Sequence, residues 1–228
     1  MAHSLDLPVA AQRAFDALAG DFARIFGDRL TAVVAYAPTR AAVFTTTLDA
    51  SDLDALAVLT EAWHRSGLDT PLVITVEEFQ RSLDVFPLEY QAILRHHVVI
   101  SGTPPFAGVT IAADDLRRAC EAQARGHLIH MRQGWLDARG HGHDLERLLV
   151  TSAMPLRVLL SHVASLDGHP GEDLAAYAGG RFGADADILR AVLALERNPT
   201  AAHGLLKQLP HYLGACEHIW SFVDRWHA

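Results

Sequence analysis

The chain has 228 residues, half of them hydrophobic and 20% charged, which is ample apolar side chain for one large core or two modest ones and excludes wholesale disorder. Its formal charge of −8 argues against general nucleic-acid binding, which needs a positive field to neutralise phosphates. The start, MAHSLDLPVAAQRAFDALAG, has no basic segment leading into a long apolar run, so no secretory signal is expected. No apolar stretch approaches the ~20 residues that cross a bilayer, so no membrane partner is expected either.

Val9 to Phe26 places Ala14, Leu18, Phe22 and Ile25 at helical spacing, with Gly27 as its stop. Thr31–Ala37 (TAVVAYA) and Ala41–Leu48 (AAVFTTTL) are rich in β-branched and aromatic residues, and Pro38-Thr39-Arg40 between them predicts a hairpin turn. Ser51 is the expected cap of a helix carrying Leu53, Leu56, Leu59 and Trp63 and ending near Gly67. Leu72–Thr75 is a short buried strand, and Thr75 with Glu78 forms a capping box for the next helix. Pro87 opens a further helical stretch, and His97–Ser101 is the last strand. Gly102-Thr103-Pro104-Pro105 is the best boundary in the chain.

From Ala112 the apolar period becomes helical and stays so. Leu116, Cys120, Ala124, Leu128, Met131 and Trp135 make one stripe. On the same helix Arg117, Arg118, Arg125 and Arg132 lie beside Asp114, Asp115 and Glu121, the pattern of a solvated face. Leu145–Leu166 is a second helix with Pro155 as its expected bend, and Gly171–Gly179 and Asp185–Arg197 are shorter ones. The last helix is expected to bury Leu205, Leu209, Leu213, Cys216, Trp220 and Val223, with a kink at Pro210. Phe222 and Trp226 lie partly off that stripe, as anchors of an interface or as side chains packed on the first domain. Cys120 and Cys216 both sit at apolar helical positions, where reduced, buried thiols of a cytoplasmic protein are favoured over a disulfide.

The run LVITVEEFQRSLDVFPLEYQAILRHHVVISG followed by LRRACEAQARGHLIHMRQGW, Leu72 to Trp135, resembles small bacterial nucleotidyltransferase-like proteins. That likeness implies an α+β architecture: a mixed β-sheet with helices over residues 1–103, then an antiparallel helical bundle over 104–228, with the substrate in the cleft between them. It also implies a Gly-Ser pair after the first strand and a D-x-D on the second, because two Mg²⁺ ions clamp the attacking and leaving oxygens. The sequence departs from that pattern. The first strand ends Ala35-Tyr36-Ala37-Pro38, the second reads VFTTTL, and no carboxylate occurs from Thr31 to Leu48. A protein that has lost its metal ligands is therefore expected: a non-catalytic binding or oligomeric protein without a cofactor. Its partners would be another copy of the chain, a different protein, or a nucleotide or other small molecule in the interdomain cleft. The alternatives are a small-molecule binding module using that cleft without chemistry, and an active Mg²⁺-dependent transferase with an unconventional acid set. That set would be drawn from Asp49, Asp52, Asp84 and Glu89.

Asp84 and Glu89 in SLDVFPLEY are the catalytic candidates, and Tyr36 and Arg40 at the hairpin tip are the substrate-binding ones. Asp49, Asp52 and Asp54 read better as the cap and first turn of a helix, where acids complement the dipole. Among 14 histidines, His141-Gly142-His143 with Asp144 reads as a loop capped by Asp144 rather than a metal loop. His127 and His130 flank the first stripe, three apart, but two ligands do not close a site. His211, Cys216 and His218 are poorly phased for a common metal, so no metal site is expected. Arg125–His130 and Arg157–His162 fit the R-x4-H pattern of helical ribonuclease domains, a match that composition alone supplies.

Overall fold

The structure, a computed structural model, describes residues 7–169, 171 and 173–226. The first six residues of the stretch read for a secretory signal lie outside these, as does Glu172 near the expected start of a helix. The chain is α+β and forms two compact units, Met1–Ile111 and Ala112–Ala228. Among the described residues are ten α-helices and four strands.

The first unit runs α1 (Val9–Phe26), β1 (Leu30–Ala35), β2 (Ala41–Thr45), α2 (Ala50–Ala57), α3 (Thr60–Arg65), β3 (Leu72–Thr75), α4 (Val76–Arg81), α5 (Pro87–Arg95) and β4 (Val98–Gly102). The strands lie in the order β3-β2-β1-β4, with β1 antiparallel to β2 and β4, and β2 parallel to β3. Period-two alternation sends Val33, Ala35, Ala41 and Val43 to one face, against Phe15, Leu18 and Phe22 of α1. Phe22 also stacks on Trp63 with ring centres 5.6 Å apart. Ala32, Val34, Ala42 and Phe44 fill the other face with Phe79, Tyr90 and Ile93. Phe106, Val109 and Ile111 pack on that second core, so the segment after β4 belongs with the sheet. Gly102 has a positive φ of 74°, and a β-carbon there would overlap the Thr31 carbonyl oxygen. Only glycine lets β4 end so close to β1.

Two local expectations in this unit are corrected. Asp49, not Ser51, caps the helix that follows β2: its carboxylate accepts from Asp52 N–H at 3.0 Å, while Asp52 Oδ2 accepts from Asp49 N–H at 3.1 Å. The residue immediately before the helix is the one whose carboxylate reaches the N–H three positions on, and the Ser51 hydroxyl, already inside the helix, instead donates to Asp49 at 2.6 Å. The helix itself breaks at Val58–Leu59 into α2 and α3, leaving Leu53 half exposed while Leu56 and Trp63 are buried. The Thr75–Glu78 capping box and Pro87 at the start of α5 are present.

The second unit runs α6 (Ala113–Ala138), α7 (Gly142–Leu166), α8 (Leu174–Phe182), α9 (Ala186–Ala194), a 3-10 stretch (Pro199–Gln208) and α10 (Leu209–Asp224). Leu116, Cys120, Ala124, Leu128 and Met131 of α6 are buried, and Leu149, Leu156, Leu160 and Val163 of α7 are sealed from solvent. The α7 helix is long and apolar enough by composition to cross a membrane, with 44% of its most apolar stretch buried inside the protein. Asp144, Glu146, Arg147 and Arg157 punctuate it, so it contains no uninterrupted apolar run of that length. Pro210 lies in the first turn of α10, where the missing N–H is one of the helix's unpaired donors, so it starts the helix rather than kinking it. The 3-10 stretch before it takes Leu205 out of the helix and leaves it half-buried. The buried face of α10 is Leu209, Tyr212, Ala215, Cys216, Ile219 and Val223, so the expected Leu209, Cys216 and Val223 are on it while Leu213 and Trp220 are only half-buried. Phe222 stacks on Phe182 with centres 4.8 Å apart, and Trp226 Nε1 donates to Asp167 at 3.3 Å, so both have partners inside this unit. Cys120 and Cys216 are free and buried.

Candidate functional site

In the first unit the sequence candidates separate. The hairpin tip is closed by Tyr36 N–H donating to the Arg40 carbonyl at 3.0 Å. The loop after α3 is clasped to it: Thr39 Oγ1 donates to Asp69 Oδ2 at 2.8 Å, and Arg40 Nε lies 3.6 Å from the same oxygen. Burial pushes the Tyr36 phenol above its ordinary range, the Arg40 guanidinium opposes this, and the Glu89 and Asp69 carboxylates add to it. Tyr36, Arg40 and Glu89 thus share one neighbourhood with Asp69, which the sequence did not single out. Asp84 is exposed on the turn between α4 and α5.

The remaining acids are committed elsewhere. Asp52 is buried, and both its oxygens receive Arg29 in a two-pronged pair at 2.7 Å each, which holds its carboxyl below the usual range. Glu78 is held below its usual range by the backbone and hydroxyl of Thr75. Thr45, in the stretch where paired acids would belong, is fully buried with no hydrogen-bond partner for its hydroxyl. A hollow of about 770 Å³ borders β3, α4 and α5. On its wall Ser82 Oγ donates to the Glu78 carbonyl at 2.6 Å and accepts from Tyr90 at 2.8 Å, an arrangement that leaves no activated nucleophile.

The second unit contains a polar chain in an apolar setting. Ser152 Oγ donates to the Leu149 carbonyl at 2.8 Å, so its oxygen accepts the Tyr212 hydroxyl proton at 3.2 Å. With that proton directed at Ser152, the Tyr212 oxygen accepts from Nε2 of His127 at 2.8 Å. The three residues come from α6, α7 and α10, and all are buried. Burial pushes the His127 ring down to about 4, with His130 adding in the same direction, and pushes Tyr212 well up. Beside this chain lies a cavity of about 410 Å³, lined by His127 together with Gln123, Gly126, Met131, Leu148 and Pro155 among others. Gln123 Oε1 accepts from His162 Nδ1 at 2.9 Å. The sequence singled out His127 only with His130. The i,i+3 spacing of the α10 residues Leu209 and Tyr212 was the signal available for Tyr212, which the equally well spaced Leu213, at i+4, concealed.

The other histidines do not converge. His141 precedes α7 without a side-chain cap, and Asp144, expected to be the cap, lies in the first turn paired with Arg147 at 2.9 Å. His211 lies 3.5 Å from Asp185, and His218 Nδ1 is 2.8 Å from the Gly183 carbonyl oxygen, while Cys216 is buried. Arg157 is forked onto Glu196 at 2.8 and 2.9 Å, and Arg125 lies over the Trp220 ring at 5.2 Å. The rest of the α6 basic face is paired: Arg117 with Glu121, Arg118 with Asp115, and Arg132 with Glu217. Among the described residues, no three His, Cys, Asp or Glu side chains are grouped to hold a metal ion. No protein-family model matches the chain, and no curated protein matches it.

Proposed function

We propose that the chain is a nucleotidyltransferase-like protein that no longer performs metal-dependent transfer and works by binding in the cytoplasm, its helical unit corresponding to the antiparallel bundle of that architecture. One observation carries this. Strands β1 and β2 are packed on both faces by apolar side chains and hold no carboxylate, so the surface that would present paired acids to two Mg²⁺ ions is a hydrophobic core. Asp49 caps α2, Asp52 has both oxygens on Arg29, and Asp84 stands exposed on a turn, which leaves Glu89, whose charge is felt at Tyr36. A single carboxylate is no two-metal clamp, and the Tyr36–Arg40 tip offers polar groups for recognition of a ligand.

The test is incubation with labelled ATP, Mg²⁺ or Mn²⁺ and candidate acceptors, with Asp84→Asn and Glu89→Gln in parallel. No transfer is expected from any of the three proteins. Transfer by the native chain that disappears in either variant would establish the active-enzyme alternative with that acid in its site.

A further inference from the structure

The cavity between α6 and α7 has a lining that selects among ligands. Its lining contains no Asp, Glu, Lys or Arg, His130 at its exposed rim is the one titratable group besides His127, and its volume of about 410 Å³ falls in the ordinary range for small-molecule sites, so the mainly apolar wall favours a neutral ligand. His127, 9% exposed, presents a defined tautomer to it. Because Ser152 directs Tyr212 and Tyr212 accepts from Nε2, the ring proton is on Nε2 and Nδ1 carries a bare lone pair. Among the described residues Nδ1 has no hydrogen-bond partner. Gln123 lies one helical turn earlier on the same face and lines the cavity, and its oxygen is held by His162, which leaves its amide N–H groups as the donors it has to offer. An acceptor and a donor four residues apart, in a mainly apolar groove with His130, Thr151 and Pro155 exposed at its rim, match a hydroxyl, the smallest group that can give its proton to Nδ1 and accept from the amide.

We propose that this cavity binds a small, neutral, largely apolar alcohol or phenol, with its hydroxyl held between His127 Nδ1 and Gln123. The site lies wholly in the second unit and does not depend on what the first unit has lost. Gly126 makes the test selective. It sits in the middle of α6, lines the cavity, and has nothing within 4 Å of the place where a β-carbon would go. A β-carbon at 126 therefore meets no packed atom, and a larger side chain built on it competes with a ligand for the space beside this wall.

The probes are 2-naphthol and 2-methylnaphthalene, which differ in the hydroxyl, titrated into the full chain with ligand-observed NMR as the readout. The native protein is expected to bind 2-naphthol saturably with Kd below about 1 mM and the methyl compound at least ~10-fold more weakly, the effect of one buried hydrogen bond. Gly126→Leu should abolish binding of both while leaving the helical circular dichroism unchanged, with Gly126→Ala as a milder filling that weakens it. His127→Phe removes the bare ring nitrogen without supplying another acceptor, so it should narrow the difference between the two probes, with the native helical circular dichroism as the check on folding. Absence of saturable 2-naphthol binding, binding that survives Gly126→Leu, or an undiminished hydroxyl preference in a folded His127→Phe would each overturn the proposal.

Discussion

Lowering the pH should cost this protein stability through one imidazole. His127 is neutral in the fold, with Nε2 donating to Tyr212 at 2.8 Å, and burial takes its pKa from the ordinary 6.5 to about 4. The unfolded chain returns the ring to water and to its ordinary value. Because the folded value is the lower of the two, the unfolded state takes up the proton first. The stability is therefore complete above pH 6.5 and is lost as the pH falls from there towards about 4. At about 1.4 kcal/mol per pH unit, the loss reaches about 2 kcal/mol at pH 5 and levels off near 3 kcal/mol below pH 4. Carboxylates such as Asp52 and Asp167, held low by Arg29 and Arg181, contribute only at lower pH, since their unfolded values are near ~4. Burial also lowers His162, but that contribution is common to native protein and variant and cancels in the comparison. The measurement is urea unfolding followed by circular dichroism at pH 7 and pH 5, on the native chain and on His127→Gln, whose amide cannot take up the proton. The native chain should lose about 2 kcal/mol more than the variant across that interval. Equal losses would refute a neutral, desolvated His127 and with it the tautomer that directs its other nitrogen.

Leu128 and Leu209 are 2% and 1% exposed on the buried faces of α6 and α10, so replacing either by alanine should cost ~2–5 kcal/mol in urea unfolding, and a loss below ~1 kcal/mol would place that side chain at the surface. Gly102→Ala forces a β-carbon onto the Thr31 carbonyl oxygen at a φ of 74°, and should cost at least ~1 kcal/mol, whereas an unchanged melting curve would show that β4 does not end against β1 as described. Cys120 and Cys216 are buried and pushed up to about 12, so neither should react with a thiol reagent until the second unit unfolds; labelling of either in the native protein at the rate of a urea-unfolded control would show it to be accessible.

Much of the local structure was legible in the chain itself. The 3.6 period of α1 and α6, the Thr75–Glu78 capping box, Pro87 at a helix start and the hairpin around Pro38-Thr39-Arg40 each depend on residues within a few positions of one another. Short-range geometry fixes such patterns before any packing is known. The absence of carboxylates from Thr31 to Leu48 was legible in the same way. What decided its meaning was tertiary: the two strands are covered on both faces, which required α1, α4 and α5 to pack on opposite sides of one sheet. On α10 the spacing offers an apolar or aromatic residue at both the i+3 and the i+4 position, Tyr212 or Leu213 and Ile219 or Trp220, and packing buries the first of each pair. The chain from His127 through Tyr212 to Ser152 joins residues 85 and 60 positions apart, and the clasp of Thr39 to Asp69 likewise joins residues 30 apart. Nothing in local spacing couples such residues. A buried polar group must find a partner wherever the packing brings one, and only the folded core decides which groups those are.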